Sequence, residues 1–152
     1  RLSKVNKLEK YTLQMFEKLS HKKDFVNTIK INPERHFSIE LFDASGSNID
    51  KTKLSAGEKE ILAISLIWSL SRLTNRNLPV VIDTPLGRLD SHHRENIAKN
   101  YFREAAQQVI LLSTNTEIVN ENLESIKSHV AKNYLIKRDR VSKKSQISEG
   151  YF

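Results

Sequence analysis

The chain has no cysteine among its 152 residues. Disulfides and thiolate metal sites are therefore excluded, and the composition is compatible with a reducing, cytoplasmic setting. Glycine is scarce: Gly46, Gly57, Gly87 and Gly150 are the only four. They do not fit G-x-x-x-x-G-K-[ST], so the chain holds no loop of that kind to cradle phosphates. Long apolar runs are also missing; none approaches the roughly 20 residues needed to span a membrane as a helix. Nothing at the start reads as a secretory signal. Acids are in the minority, 18 Asp and Glu against 25 Lys and Arg, for a formal net charge of +7. That balance favours a polyanionic partner such as DNA without requiring one. The 38% hydrophobic content and a length of about one domain support a real core. The sequence begins at Arg1 rather than Met and is expected to be a piece of a longer protein.

Against this background two segments stand out. The first is Lys53-Leu54-Ser55-Ala56-Gly57-Glu58-Lys59-Glu60. Ser55-x-x-Glu58 fits a capping box, in which the two side chains satisfy free backbone N–H groups at a helix start. Gly57 permits close backbone approach. The following helix carries Ile61, Leu62, Ile64, Leu66, Ile67, Trp68, Leu70 and Leu73. It is apolar nearly all round, as expected of a helix buried in a larger body. A serine hydroxyl, free N–H groups and the positive end of the helix dipole suit an anion such as a terminal phosphate. On this segment alone an ordinary capped core helix explains as much.

The second segment shifts that balance. Residues 78–82 form a short apolar, β-branched run, expected as a strand covered on both faces. It ends in Asp83, and Pro85 and Gly87 then break the strand. An acid at the C-terminal end of a parallel strand sits where α/β sheets bind ligands. In a phosphate site such an Asp holds Mg²⁺ or its water shell. Asp-x-Pro is also a common turn signal, but that reading leaves the order and spacing of the two segments unexplained.

The remaining elements are coarser. Residues 1 to about 20 read as a helix, with Leu2, Val5, Leu8, Tyr11, Leu13, Phe16 and Leu19 recurring. It is either free-standing or one stalk of a coiled coil, and residues 21–24 read as a break. Residues 37–41 alternate as a half-exposed strand, and residues 44–48 form a polar turn. A helix is expected over 91–106 with Ile97, Ala98, Tyr101 and Phe102 inward. Strands follow at 109–112 and 134–136, separated by a helix over 116–130 with Ile118, Leu123 and Ile126 inward. This order predicts an α/β fold of three layers, a mostly parallel sheet with flanking helices and an N-terminal stalk helix. The expected division is a stalk at 1–24 and the lobe at 25–152. The basic tail of Lys127, Lys132, Lys137, Arg138, Arg140, Lys143 and Lys144 is either a phosphate-contacting surface or a solvated terminus. His92 and His93 lack the i, i+4 spacing of a helical metal pair and read as a solvated pair, with nearness to residues 87–90 keeping one of them a candidate.

The two segments together resemble the signature motif and the Walker B strand with D-loop of ABC-type ATPases. The whole looks like the C-terminal lobe of an SMC-like ABC ATPase head, a class that includes chromosome-cohesion and double-strand-break repair ATPases. Within it, residues 53–63, Val81-Ile82-Asp83-Thr84-Pro85-Leu86-Gly87-Arg88-Leu89-Asp90 and Leu111-Leu112-Ser113-Thr114-Asn115-Thr116-Glu117 more closely resemble the DndD family, the ATPases of bacterial DNA phosphorothioate modification. The resemblance covers residues 37 to 152.

It implies that Leu54, Ser55, Ala56, Gly57 and Glu58 meet the γ-phosphate of ATP held by an opposite head. Asp83 would be the Walker B carboxylate, organising Mg²⁺ through water. Gly87, Arg88, Leu89 and Asp90 would form the D-loop, and Thr114 would follow the switch strand of residues 109–113. The implied partners are DNA, a P-loop lobe N-terminal to this one in the same protein, a second head, and other DNA-modification proteins; no membrane is implied. Two departures stand out. Thr84 occupies the position of the usual water-orienting Glu, and Thr114 that of the usual switch His. Threonine cannot act as a general base at neutral pH, so hydrolysis is either slow or served by another group, with Asp90 a candidate beside Asp83 and Thr84. Two functions follow: an ATPase whose head dimerisation remodels DNA for phosphorothioation or repair, or a weakly hydrolysing ATP-gated clamp for partner assembly.

Overall fold

Residues 2–20, 25–74, 78–84, 86–87 and 89–150 are described by a computed structural model. Helix α1 runs Leu2–Leu19. Its buried stripe is Thr12, Met15, Phe16 and Leu19, spaced as one face of a helix. Leu13, expected inward, is only partly buried, whereas Thr12 and Met15 were not expected. Residues 3–10 are exposed or half-exposed, and the fully buried positions of α1 all lie after them. The break expected at 21–24 lies outside the described residues.

An antiparallel sheet follows, ordered β1 (Thr28–Asn32), β2 (Ser38–Phe42) and β3 (Asn48–Ile49). Ile29, Ile31 and Leu41 supply its buried face. The β2–β3 turn is held by Asp43, whose Oδ1 accepts the Ser45 and Ser47 N–H groups, each at 2.9 Å. Glu9 of α1 accepts the Ile31 N–H at 2.9 Å and pairs with Lys30 at 3.3 Å, fixing helix to strand.

Helix α2 (Ala56–Thr74) packs along α1. Trp68 is 1% exposed; its ring meets Tyr101 edge-on at 5.3 Å, with the Lys18 and Arg72 cations each 5.6 Å from its centroid. The other side of α2 leaves Ile67 and Leu70 exposed, so the helix that reads as apolar all round is covered on one side only.

Strands β4 (Val80–Asp83) and β5 (Val109–Leu112) pair in parallel, Val81 opposite Ile110 and Asp83 opposite Leu112. Between them run α3 (Ser91–Asn96), a π-helical turn (Ile97–Tyr101) and α4 (Phe102–Glu104). The wide turn lets Ile97, Ala98, Tyr101 and Phe102 all point inward, as the sequence predicts. Helix α5 (Asn120–Lys127) is shorter than expected but buries Ile126.

The mostly parallel sheet is not found: among the described residues there are three small sheets, and only β4–β5 is parallel. Strand β6 (Tyr134–Arg138) pairs antiparallel with β7 (Ser145–Glu149), a strand the sequence reading missed. A local hairpin closes at little entropic cost. Asp139, the one acid in the basic stretch, holds its turn by accepting the Val141 N–H at 2.9 Å and the Ser142 hydroxyl at 2.6 Å. The result is a mixed α/β fold.

Candidate functional site

The capping box forms as its spacing predicts. The Ser55 N–H donates to Glu58 Oε2 at 2.8 Å, and the Glu58 N–H donates to Ser55 Oγ at 3.2 Å. Leu54 is buried beneath the helix start, while Ser55 and Ala56 are exposed. Glu58 is only 6% exposed, so its carboxylate serves the cap and not the surface. A Cβ on Gly57 would lie 3.7 Å from Leu89 Cδ2 and 3.8 Å from His93 Nδ1. The start of α2 therefore sits directly on Leu89 and His93.

Asp83 closes β4 on its exposed face. Exposure alternates along both strands: Val80, Ile82, Val109 and Leu111 turn toward the core, while Val81, Asp83, Ile110 and Leu112 turn outward. Val81 is 59% exposed, Ile110 41% and Leu112 46%. The expectation of a strand covered on both faces thus fails among the described residues, none of which buries the outer face. Asp83 Oδ1 accepts the Thr84 hydroxyl at 3.1 Å, and no hydrogen bond among the described residues links Asp83 to Ser55.

Thr84 adopts φ +52°. A β-branched residue there is strained by about 1–3 kcal/mol. Its N–H continues the ladder onto the Leu112 carbonyl at 2.8 Å. Gly87 lies against it: a Cβ at 87 would come within 3.1 Å of Thr84 Cγ2, so a larger residue would push into the strained turn. Of the segment expected as a D-loop, Leu89 is buried and its carbonyl accepts Arg94 Nε at 2.7 Å; Arg88, like Pro85 before it, lies outside the described residues.

Asp90 is the N-cap of α3. One carboxylate oxygen accepts the His93 N–H at 2.9 Å, and the other meets His93 Nδ1 at 2.8 Å. The His93 backbone N–H, more than its ring, holds the Asp90 carboxyl below the usual carboxylate range. Both oxygens are thus engaged. His93, read from sequence as one of a solvated pair, is 7% exposed: Asp90 lies three residues before it and turns its ring onto Gly57.

Thr114 follows β5, and its N–H and hydroxyl donate to Glu117 Oε2 at 2.9 and 3.1 Å. Glu117 Oε1 accepts the Leu86 N–H at 3.1 Å. Sequence reasoning assigned Glu117 no role. The signal was present, because Thr114-x-x-Glu117 repeats the spacing of Ser55-x-x-Glu58. Among the described residues no group of three or more His, Asp or Glu could hold a metal ion, and no helix is long and apolar enough to cross a membrane. A Mg²⁺ held mainly by phosphate oxygens and water needs one or two carboxylates from the protein, and the exposed Asp83 fits that need.

No family model matches the chain. It is 26% identical over 157 residues to the DNA double-strand break repair Rad50 ATPase of Halobacterium salinarum, covering 97% of this chain and 17% of that protein. Its fold matches a solved structure from work on ATP-driven dimerization and DNA-stimulated activation of SMC ATPases, with a TM-score of 0.69, 15% identity, and coverage of 99% of this chain and 87% of that one. A second match is the Smc head domain with a coiled coil and joint from Pyrococcus yayanosii, with a TM-score of 0.65, 18% identity, and coverage of 95% and 26%. The chain therefore has an SMC-head-like fold and spans 17% of the length of the Rad50 relative.

Proposed function

We propose that this chain is the C-terminal lobe of an SMC-like ABC ATPase head that completes an ATP site in trans when two heads meet. The observation that carries this reading is the open face of β4–β5. Parallel sheets are ordinarily covered on both sides, yet here Val81, Ile110 and Leu112 stand exposed beside Asp83. A P-loop lobe of the same protein, seated on that face, would bring the phosphates of its bound ATP to Asp83. Bound Mg²⁺ would neutralise phosphate charge; Asp83 would orient it. Ser55 and Ala56, exposed at the α2 N-terminus, would meet the phosphate held by the opposite head. The exposed half of α1 before Tyr11 would root a stalk, so that residues 1–24 and 25–152 divide by function although the later half of α1 is part of the core.

The work of the dimer would be on DNA. The D-T-P-L-G-R-L-D sequence favours phosphorothioate modification together with other DNA-modification proteins; the Rad50 relative favours double-strand-break repair instead. A weakly hydrolysing clamp is a second reading, favoured by Thr84 standing strained where a carboxylate would orient water.

The test is Ser55→Arg in the full-length protein, followed by sedimentation with a slowly hydrolysed ATP analogue. Nucleotide binding by each monomer should persist while ATP-dependent dimerisation is lost. Undiminished dimerisation would remove the trans role of Ser55.

A further inference from the structure

Glu117 is 5% exposed, in the loop between β5 and α5. A buried carboxylate is costly unless its oxygens accept hydrogen bonds, and here they accept from two separate segments. Oε1 takes the Leu86 N–H from the turn after Asp83, and Oε2 takes the Thr114 N–H and hydroxyl from the end of β5. The loop is tightened further by the Glu117 N–H, 3.4 Å from the Thr114 carbonyl, and by Asn122 Nδ2, 3.4 Å from the Glu117 carbonyl. The same carboxylate backs the strained turn, since a Cβ on Gly87 would lie 3.6 Å from Glu117 Oε1 and 3.1 Å from Thr84 Cγ2.

We propose that Glu117 is a positioning residue for ATP turnover, bridging the switch threonine to the turn that follows the Walker B strand. The proposal rests on the ATPase reading above. Because one carboxylate grips both segments, a displacement of Thr114 by nucleotide is passed to Leu86, and through the Leu86–Leu89 turn, closed by a 3.3 Å hydrogen bond, to the segment against Gly57. With both oxygens engaged and buried, Glu117 does not itself take a proton from water; it acts through Thr114 and Leu86.

The test uses the full-length protein. Glu117→Gln keeps the volume but leaves one segment facing an NH₂ group where it had an acceptor. Its kcat should fall on the order of tenfold to a hundredfold with KM nearly unchanged, as for a misplaced reacting group. Thr114→Val removes only the hydroxyl at an exposed position. It should lower kcat by less, Thr114→Ser should recover several-fold over Thr114→Val, and the double variant should be no slower than Glu117→Gln alone. If Glu117→Gln does not fold, the Thr114→Val and Thr114→Ser pair decides. Additive effects, or wild-type kcat in Thr114→Val, overturn the bridge. Turnover that needs Asp83 but not Glu117 overturns this role alone. No turnover by the wild type, or full turnover by Asp83→Ala, overturns the ATPase reading and this role with it.

Discussion

Around Trp68 the chain closes its own core, whereas at β4–β5 it leaves apolar side chains in the open. Phe16, Leu19, Leu41, Ile61 and Trp68 are each at most 1% exposed. The polar groups around the Trp68 ring are served from within: Trp68 Nε1 donates to the Glu104 carbonyl at 3.3 Å, and Glu104 Oε2 takes Lys18 at 3.1 Å and Arg72 at 3.4 Å. By contrast, Val81, Ile110 and Leu112 are exposed on their outer side. One region is closed by this chain and the other is left open by it. Asp83, Thr84 and Thr114 lie at the C-terminal ends of the two open strands.

The sharpest way to break the contrast is to damage the finished side. Trp68→Ala deletes a fully buried indole and its edge contact with Tyr101. A loss of about 3–5 kcal/mol is expected, measured by urea unfolding of the lobe followed by circular dichroism. A loss below about 1 kcal/mol, the size of an ordinary exposed change, would mean the core does not close there.

Ile110→Lys tests the unfinished side. It places a charge where the structure shows 41% exposure, so the stability of the lobe itself should change by no more than about 0.5 kcal/mol. Association with the covering lobe should instead be lost, read by co-purification of the separately expressed halves of the protein. A large loss of the lobe's own stability with association intact would reverse the comparison.

The finished side was also the more legible one in sequence. Ile97, Ala98, Tyr101 and Phe102 were read inward correctly, because a helix records its buried face locally, every three to four residues. The capping box was legible for the same reason, since Ser55 and Glu58 are three residues apart. Thr12 and Met15 escaped because a threonine and a lone methionine do not mark a core stripe as leucines do. Strand pairing was the other failure. Nothing local in Tyr134–Arg138 says whether it joins β5 or folds back on Ser145–Glu149; the turn held by Asp139 lies outside the strand itself. In the candidate site, Asp83 was marked by its place at the end of an apolar run. Glu117 was not, since its partner Leu86 lies 31 residues earlier. The positive φ of Thr84 had no residue signature either, because glycine would be the expected tenant of that conformation.

The smallest expected effect lies on the seam between the two regions, where Asp90 caps α3 and turns His93 onto Gly57. The Asp90 carboxyl is held below its ordinary range, first by the His93 backbone N–H. A depressed folded value means that the contribution is present above the unfolded value, about 3.9, and is lost as pH falls through the folded one. The window is therefore below about pH 4. With 63% of its side chain exposed, solvent screens the charge, so only a few tenths of a kcal/mol are expected. Asp90→Asn keeps a good capping side chain and removes the charge. Thermal unfolding of both forms should show a small advantage for wild type at pH 7 that is smaller at pH 3. An equal gap at both values would assign the advantage to shape and not to charge, and the seam would then be held by packing of Leu89 and His93 on Gly57 alone.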